Sequence, residues 1–270
     1  MTKVHAMQTF ARADHLISIA KSLIDAADRQ NIQLRTFGGI GVRAHCKGIG
    51  VEALSVREYK KWDLDLVAQI SGLPSVDRFL RASKLELVTT GFHRGGDYRL
   101  YERKDGHRDF TVDVYFVGQL RLNHGVPGPY FDSENKYTLP ITQLLLSKLA
   151  VVELTEKDII DIVSVLLEHP LGNSRDMETI QTNILRKVWC RGWDAWGTAR
   201  TCSANIESIR AYVGNGSAFN RSLIAALTPK LDELGSVLVG AKSVMWRTRQ
   251  VFGAKIAWYS KVQPAESLNH

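Results

Sequence analysis

Two aspartates interrupt the apolar run WDLDLVA at residues 62–68. The run predicts a strand, and because side chains alternate between the two faces of a strand, Asp63 and Asp65 point to the same face, opposite the leucines. Such a strand is either an edge strand whose acids face solvent or a strand whose two carboxylates share a cation. The choice depends on what lies beside it.

A second strand-like run, FTVDVYFV at residues 110–117, carries a single acid among apolar residues. Asp113 lies on the face opposite the valines of this run. If the two strands are neighbours in one sheet, three carboxylates converge. The alternative is a half-buried Asp113 that is neutralised by an arginine such as Arg99 or Arg108.

Converging carboxylates repel one another unless a cation lies between them. Mg²⁺ prefers carboxylate oxygens together with the oxygens of substrate phosphates. Three carboxylates can hold two such ions, one beside the attacking oxygen and one beside the leaving pyrophosphate of an in-line displacement. Asp63, Asp65 and Asp113 are therefore candidate metal ligands for phosphoryl-transfer chemistry.

The segment FGGIG at residues 37–41 places glycines between a predicted strand, IQLRTF, and a predicted helix. Backbone amides of such a turn can approach a phosphate closely, and the N-terminus of a helix favours negative charge. A glycine pair in this position also occurs simply as a turn, so the motif has little specificity by itself.

The chain as a whole predicts an α+β fold, with a small mixed β-sheet flanked by helices and followed by an all-helical region. Apolar residues recur at helical spacing in residues 11–30 and 75–87. By contrast, DYRLYERKDGHRDFTVDVYFV at residues 97–117 predicts a hairpin around the turn Lys-Asp-Gly-His. The first half therefore combines strands and helices.

A loop separates this half from a helical half. Residues 122–138 are rich in Gly, Pro, Asn and Asp, and from Pro140 onward the apolar residues recur at helical spacing. We therefore predict two domains, residues 1–138 and residues 139–270. Three tryptophans at helical spacing in the second domain either pack inside a helical bundle or stack on RNA bases: Trp189, Trp193 and Trp196.

The composition is that of an ordinary globular protein, with 44% hydrophobic and 23% charged residues. A net charge of +7 favours an anionic partner such as a nucleotide or a nucleic acid. No apolar stretch is long enough to cross a membrane and no secretory signal is present, so we predict a soluble, cytoplasmic protein without a membrane partner. The three cysteines are predicted to be free and buried, and the eight histidines show no ligand spacing that would indicate zinc chemistry.

The order of FGGIG, WDLDLV and VDVYF resembles the nucleotidyltransferase superfamily that includes DNA polymerase beta. Members of that superfamily combine a Gly-Gly or Gly-Ser turn, an Asp-x-Asp/Glu strand and a third acid on a later strand. The resemblance covers roughly residues 30–118 and implies that Gly38 and Gly39 contact phosphate. It also implies a set of three metal ligands: Asp63, Asp65 and Asp113.

One departure from the family's pattern concerns the spacing between the turn and the acids. The stretch from Gly39 to Asp63 is longer than the family's usual dozen or so residues, because KGIGVEALSVREY, residues 47–59, is inserted there. This difference puts the register of the glycine turn in question more than the acids.

The second half is similar to the helical segment of the bacterial abortive-infection branch of this superfamily, the type IV toxin-antitoxin nucleotidyltransferases. In PITQLLLSKLAVVELTEKDIIDIVSVLL, residues 140–167, Lys148 matches a lysine of a Leu-rich helix. Three residues match the Lys-Asp-x-x-Asp motif that follows it: Lys157, Asp158 and Asp161. The resemblance implies that the first lysine neutralises triphosphate charge and that the two aspartates orient it or contact the base or ribose. The alternatives are a snorkelling lysine and acids that face solvent or cap a helix after Thr155.

The resemblance implies a Mg²⁺- or Mn²⁺-dependent enzyme that moves a nucleoside monophosphate from an NTP to an acceptor hydroxyl. Catalytic roles are implied for four residues: Asp63, Asp65, Asp113 and Lys148. Nucleotide contacts are implied for five: Gly38, Gly39, Lys148, Asp158 and Asp161. The acceptor is open between tRNA or another RNA, a protein side chain and a small molecule such as an aminoglycoside, and an antitoxin is a candidate partner.

Two other functions compete with this prediction. A glycosyltransferase also uses an Asp-x-Asp pair to hold a metal and a nucleotide diphosphate, but the 62 residues before Asp63 are short for the nucleotide-binding unit that would precede it. The other is a catalytically inactive nucleotidyltransferase-fold protein that acts as a binding protein or toxin-antitoxin component. The long glycine-to-acid spacing favours that function, and the intact set of mutually repelling acids opposes it.

Overall fold

The computed structural model describes residues 3–59, 62–93, 96–103, 110–117, 136–174, 176, 178–215, 219–240 and 242–255. These residues form a mixed five-stranded sheet flanked by helices and, after the sheet, a helical region, as the sequence predicts. No helix within these ranges combines the length and the apolar character needed to cross a membrane.

The central sheet contains both acid-bearing runs. Its strands are β1 (Leu34–Thr36), β2 (Asp63–Gln69), β3 (Glu86–His93), β4 (Gly96–Arg103) and β5 (Phe110–Val117). The spatial order is β1-β2-β5-β4-β3. β2 and β5 run parallel to each other, whereas the other neighbouring pairs are antiparallel. The parallel pair places the two acid-bearing strands side by side.

Helices of the first half pack around this sheet. Those described before residue 138 are α1 (Lys3–Asp28), α2 (Gly38–His45), α3 (Ile49–Leu54) and α4 (Leu73–Ala82). The predicted amphipathic helix is confirmed within α1, whose buried face includes Leu16, Ala20, Ile24 and Ala27. α3 occupies part of the inserted segment for which the sequence predicts no clear element.

The predicted hairpin and the predicted helix over residues 75–87 have different outcomes. β4 and β5 pair antiparallel as the predicted hairpin requires, and the Lys-Asp-Gly-His turn lies outside the described residues. The predicted helix over residues 75–87 is wrong at its C-terminal end, because α4 ends at Ala82 and β3 begins at Glu86. Lys84 adopts the left-handed conformation, with φ of 63°, which a continuing right-handed helix does not allow.

The region after residue 138 is helical with one small exception. Its described helices are α5 (Ile141–Leu149), α6 (Glu156–Glu168), α7 (Thr182–Cys190), α8 (Ala195–Gly214), α9 (Arg221–Leu238) and α10 (Val244–Phe252). The exception is a short parallel ladder formed by β6 (Leu171–Gly172) and β7 (Ile180–Gln181).

Apolar packing joins this helical region to the glycine turn. Phe37, Val42 and Val67 belong to the same buried core as the apolar residues of α5 and α6. Trp189 and Trp196 are also buried, so the core-packing interpretation is confirmed for these two tryptophans. The three cysteines are free and buried, as predicted. The packing of α5 and α6 against α2 positions the lysine and acids described below.

Candidate active site

Neighbouring strands bring three carboxylates onto one face of the sheet. The register of β2 and β5 pairs Asp65 directly with Asp113. Asp63 lies two residues before Asp65 and therefore on the same face. On the opposite face, the alternating residues of both strands are fully buried: Leu64, Leu66, Val112 and Val114. The acids thus occupy the partly exposed face of a sheet whose other face forms the core.

Neighbouring hydroxyl groups hold two of these carboxylates. Thr111 donates a hydrogen bond from Oγ1 to Oδ1 of Asp63 at 2.8 Å. The hydroxyl of Tyr98, on β4, donates to Oδ1 of Asp113. Burial, followed by this hydrogen bond, raises the pKa of Tyr98 above its ordinary value, so the phenol keeps its proton and continues to donate.

The sequence offers two arginines as alternative partners of Asp113. Arg99 pairs with Val114 across β4 and β5, so its side chain lies on the opposite face of the sheet from Asp113. Arg108 lies outside the described residues. The pairing therefore argues against Arg99 as the group that neutralises Asp113.

The carboxyl group of Asp65 resists ionisation. Burial raises its pKa, the charge of Asp113 raises it further, and the charge of Lys148 opposes both. The result is a pKa of about 7, compared with an ordinary value of 3.8. A carboxyl group that is partly protonated at neutral pH, beside other carboxylates, is stabilised in its charged form by a bound cation.

The glycine turn packs directly against Asp65. Gly38 begins α2 with φ of 63°, a left-handed conformation that favours glycine. A Cβ atom on Gly38 would lie 2.1 Å from Oδ2 of Asp65, and the N–H of Phe37 donates to the Asp65 carbonyl oxygen at 3.1 Å. The long spacing between Gly39 and Asp63 therefore does not displace the turn from the acids.

Lys148, near the C-terminal end of α5, is held by two acids of α6. Its Nζ lies 2.8 Å from Oδ1 of Asp158 and 3.0 Å from Oδ2 of Asp161, and its side chain is only 15% exposed. Burial alone would lower the pKa of Lys148, but the charges of the two acids outweigh it and raise the pKa, so the lysine is charged at neutral pH. Its charge also acts on Asp65, which links the helical region electrostatically to the sheet.

The two acids that hold Lys148 differ in their surroundings. Oδ2 of Asp158 accepts a hydrogen bond from the Thr155 hydroxyl at 2.6 Å, and the two residues form a capping box at the start of α6. The helix-capping alternative therefore applies to Asp158, together with its lysine contact. Asp161 is completely buried, so it does not belong to a solvent-facing surface of the helix.

Arg57 is a functional candidate that the sequence does not reveal. Arg57 follows α3 and precedes β2 in the chain, and its Nε lies 2.5 Å from Oδ1 of Asp161 and its Nη2 3.2 Å from Oδ2. The guanidinium also lies 4.0 Å from the ring centroid of Tyr59. A Cβ atom on Gly39 would lie 2.1 Å from Nη2 of Arg57. Arg57 thus places a second positive charge beside the glycine turn.

The residues predicted for the site form a series of neighbours. Gly38 packs against Asp65, and Gly39 packs against Arg57. Asp161 then joins Arg57 to Lys148. Asp158 and Asp161 belong to this group through the cations that they hold, whereas the three acids of the sheet share a face. The structure therefore brings the glycine turn, the three sheet acids and the lysine of α5 to one place.

Comparisons with known proteins give only distant similarities. No family model and no curated protein matches the sequence. Among solved structures, an antigenic nucleotidyltransferase-like protein from Paracoccidioides brasiliensis is 17% identical, with a TM-score of 0.42 over 80% of this chain and 93% of that chain. JHP933 from Helicobacter pylori is 12% identical, with a TM-score of 0.38 over 88% of this chain and 94% of that chain. The antibiotic-resistance factor ANT(2'')-Ia is 13% identical, with a TM-score of 0.35 over 55% of this chain and 80% of that chain. Similarities of this size establish neither family nor function, so function is inferred below from the geometry of the site.

Proposed function

We propose that this protein is a nucleotidyltransferase that moves a nucleoside monophosphate from an NTP to an acceptor hydroxyl. The observation that carries the proposal is the direct pairing of Asp65 with Asp113 on parallel strands, with Asp63 on the same face and Gly38 against Asp65. Enzymes catalyse phosphoryl transfer mainly by positioning and by stabilising charge. A carboxylate cluster, a phosphate-binding turn and nearby cations supply both.

The donor set fits Mg²⁺ or Mn²⁺. Three carboxylates on one face offer hard oxygen ligands, and the raised pKa of Asp65 means that this carboxyl group is partly protonated at neutral pH when no cation compensates it. We assign Asp63, Asp65 and Asp113 as the residues that would hold the ion. When bound there, the ion would supply positive charge that stabilises the leaving pyrophosphate.

The start of α2 is assigned to the β- and γ-phosphates of the NTP. Gly38 and Gly39 carry no side chains of their own, and their backbone packs against the side chains of Asp65 and Arg57. α2 is 8 residues long, and the partial positive charge at its N-terminus favours an anion.

Two cations near the turn add to this attraction. Lys148 is charged and lies close enough to Asp65 to alter its pKa, and Arg57 touches the glycine turn. Asp158 and Asp161 would act as positioning residues that hold these cations. A contact of the two acids with the base or ribose is the alternative role, and their engagement with Lys148 favours positioning. The helical region would then complete the nucleotide site.

Asp113 is assigned to the acceptor side of the reaction. A carboxylate at this position can accept the proton of an attacking hydroxyl, and Tyr98 holds it in place by donating to Oδ1. The acceptor is an RNA such as tRNA, a protein side chain or a small molecule. The net charge of +7 favours an anionic acceptor such as RNA.

The competing candidate is a catalytically inactive nucleotidyltransferase-fold protein that acts as a binding protein or as one component of a toxin-antitoxin pair. Its main support is the long spacing between Gly39 and Asp63. α3 occupies part of that spacing, and Gly38 reaches Asp65 in spite of it. The spacing therefore does not favour inactivity.

Thermal unfolding with nucleotides tests the proposed site. The midpoint is measured with each of the four NTPs, with and without Mg²⁺, for the wild type, Asp63→Asn and the control Asp232→Asn, whose side chain is 64% exposed. A ligand at a hundredfold excess over its Kd stabilises the native state by about 2.7 kcal/mol. We expect one NTP to raise the midpoint of the wild type and of the control only with Mg²⁺, and to leave Asp63→Asn unchanged.

Transfer itself separates the two candidates. An NTP labelled at its α-phosphate is incubated with total RNA, protein extract or small-molecule hydroxyl compounds, and label that becomes attached to an acceptor is measured. We expect labelling by the wild type and the control but not by Asp63→Asn. Mg²⁺-dependent NTP binding without labelling of any acceptor would support the inactive protein. An NTP response that persists unchanged in Asp63→Asn contradicts the proposed metal site.

A further inference from the structure

Two histidines and a glutamate form a second cluster of titratable groups, here called the His-Glu cluster: His45, His169 and Glu178. His45 ends α2, and His169 follows α6. At 1.5 Å per residue, His45 lies about 10 Å along its helix from the glycine turn, and His169 about 12 Å from Asp161. The cluster is therefore separate from the three sheet acids. Histidine spacing in the sequence gives no sign of it, since His45 and Glu178 are 133 residues apart.

The side chains of the His-Glu cluster are close enough to share one ion. Each offers one ligand atom, and these three atoms lie within 4.8 Å of one another. Nδ1 of His45 lies 3.3 Å from Oε2 of Glu178. Nδ1 of His169 lies 3.2 Å from the same oxygen but donates to a backbone carbonyl, so Nε2 is the candidate ligand atom of that ring. Ligand atoms of a tetrahedral zinc ion lie roughly 3.3 Å apart when the bonds are about 2.0–2.1 Å long. The histidines are buried, whereas the glutamate side chain is 53% exposed and open to an ion from solvent.

Backbone carbonyls determine which ring nitrogens carry protons. Nε2 of His45 lies 3.2 Å from the Leu139 oxygen, and Nδ1 of His169 lies 3.0 Å from the Glu178 oxygen. A carbonyl oxygen only accepts, so each of these nitrogens is the protonated one in a neutral ring. The Thr138 hydroxyl, 2.6 Å from Nε2 of His45, accepts from it in the same arrangement. Histidines that bind metals show this pattern, in which the non-ligating nitrogen donates to a carbonyl.

In this arrangement the other ring nitrogen of each histidine carries no proton, and no hydrogen-bond donor among the described residues reaches it. Nδ1 of His45 then directs its lone pair at the carboxylate of Glu178, so two acceptors face each other. Nε2 of His169 is buried and has no hydrogen-bond partner among the described residues. An unpaired buried acceptor is costly, and two opposed acceptors repel. A cation shared by the cluster removes the repulsion between His45 and Glu178.

We propose that His45, His169 and Glu178 bind a divalent transition-metal ion of the Zn²⁺ class. Two imidazoles and one carboxylate suit Zn²⁺, whereas Mg²⁺ prefers sites made of oxygen ligands alone. The ion joins the segment before β7 to the ends of α2 and α6. These two helices carry the glycine turn and the acids that hold Lys148, so the ion fixes the far ends of both.

Variants of the His-Glu cluster are expected to fold because separate hydrogen bonds also connect the end of α6 to the segment after α2. The carboxylate of Glu168 accepts hydrogen bonds from the backbone amides of Lys47, Gly48 and Gly50, at distances of 2.7–3.0 Å. Glu178→Gln preserves the size of a half-exposed side chain, and His169→Gln keeps a polar group. His15→Gln is the matched control, because His15 lies outside the cluster and packs on the Trp62 ring at 5.6 Å.

The experiment titrates Zn²⁺ alone into chelator-treated full-length protein and follows binding by calorimetry and the midpoint of thermal unfolding. We expect one Zn²⁺ per chain in the wild type and in His15→Gln, with the midpoint raised by roughly 5 °C at a hundredfold excess over Kd. Glu178→Gln should bind at least about tenfold more weakly, and His169→Gln should lose the response.

Two outcomes would overturn the zinc site. The wild type fails to bind Zn²⁺, as expected if His45 is instead a doubly protonated partner of Glu178. Alternatively, Glu178→Gln and His169→Gln both bind Zn²⁺ as tightly as the wild type, which would locate binding elsewhere. Neither readout involves NTP or transfer, so this result is independent of the proposed nucleotidyltransferase activity.

Discussion

The two sides of the candidate active site differ in how far their charges are compensated. On the sheet, three carboxylates share one face, and burial together with the charge of Asp113 raises the pKa of Asp65 to about 7. On the helical side, two cations meet two anions in a connected set: Arg57, Lys148, Asp158 and Asp161. The charges of Lys148 and Arg57 compensate the first group only in part, since the pKa of Asp65 stays raised, whereas the second group is balanced.

This difference shows what each group is built for. A balanced buried network loses stability when one member is removed, because its partner is left as an uncompensated charge. An unbalanced cluster stores repulsion, and such strain persists at functional sites where the rest of the fold supports it. Removing a carboxylate should therefore destabilise the helical side and relieve the sheet side.

Asp161→Asn is expected to have the largest effect on stability. Asp161 is completely buried and binds both Arg57 and Lys148, so its neutralisation leaves two cations without a full partner. We expect a loss of about 3–5 kcal/mol in the free energy of unfolding, measured by urea denaturation. The exposed control Asp232→Asn should stay within about 0.5 kcal/mol of the wild type. A loss below about 1 kcal/mol for Asp161→Asn would contradict the balanced-network interpretation.

The sequence predicts the acids better than the balanced network that supports them. Asp63, Asp65 and Asp113 stand out because each interrupts an apolar strand, and alternation along a strand fixes their face. Arg57 carries no such signal, since it lies in a segment without periodicity and its partner Asp161 is 104 residues further along the chain. Contacts of that kind arise from the packing of α3 against α6, so the spacing of residues along the sequence does not predict them.

Local conformation explains another limit of the sequence. In residues 75–87, Val76, Phe79 and Leu80 recur at helical spacing, but Leu85 and Leu87 lie two residues apart, and the helix ends at Ala82. The left-handed φ of Lys84 ends the periodic segment, and the following residues join the sheet as β3 beside β4. The spacing of two between Leu85 and Leu87 therefore indicates where strand pairing replaces the helix.

Gly38→Ala tests how tightly the turn is fitted to the sheet acids. The new methyl group would occupy a left-handed φ and would overlap Oδ2 of Asp65, so we expect a loss of about 1–3 kcal/mol in unfolding free energy. The matched control is Gly235→Ala inside α9, where a Cβ meets no atom within 4 Å. That substitution should stabilise the protein by about 0.5–1 kcal/mol. Equal effects of the two substitutions would mean that the turn is not constrained by Asp65.

Asp65→Asn should abolish transfer and, in metal-free buffer, become more stabilising as the pH rises. The folded pKa of about 7 lies above the ordinary 3.8, so between these values the folded chain holds a proton that the unfolded chain has released. The stability contributed by that proton is fully present below about pH 4 and is lost as the pH rises through about 7.

Urea unfolding at about pH 5 and about pH 8 checks this prediction, since asparagine does not titrate. We expect the difference in unfolding free energy between Asp65→Asn and the wild type to favour the variant by on the order of 1 kcal/mol more at the higher pH. Asp232→Asn should show no such change. A variant that is less stable than the wild type at both pH values would identify Asp65 as part of a stabilising ion pair.

Thr155→Ala is expected to have the smallest effect. It tests the helix cap that orients Asp158 in the balanced network. Thr155 caps α6 and donates to Asp158, which also binds Lys148. We expect a loss of about 1 kcal/mol in unfolding free energy, because one cap is lost while the lysine contact remains. Thr155→Ser keeps the hydroxyl and should retain most of the stability. If the serine variant loses as much as the alanine variant, the methyl group of the threonine, rather than the cap that orients Asp158, stabilises this end of the helix.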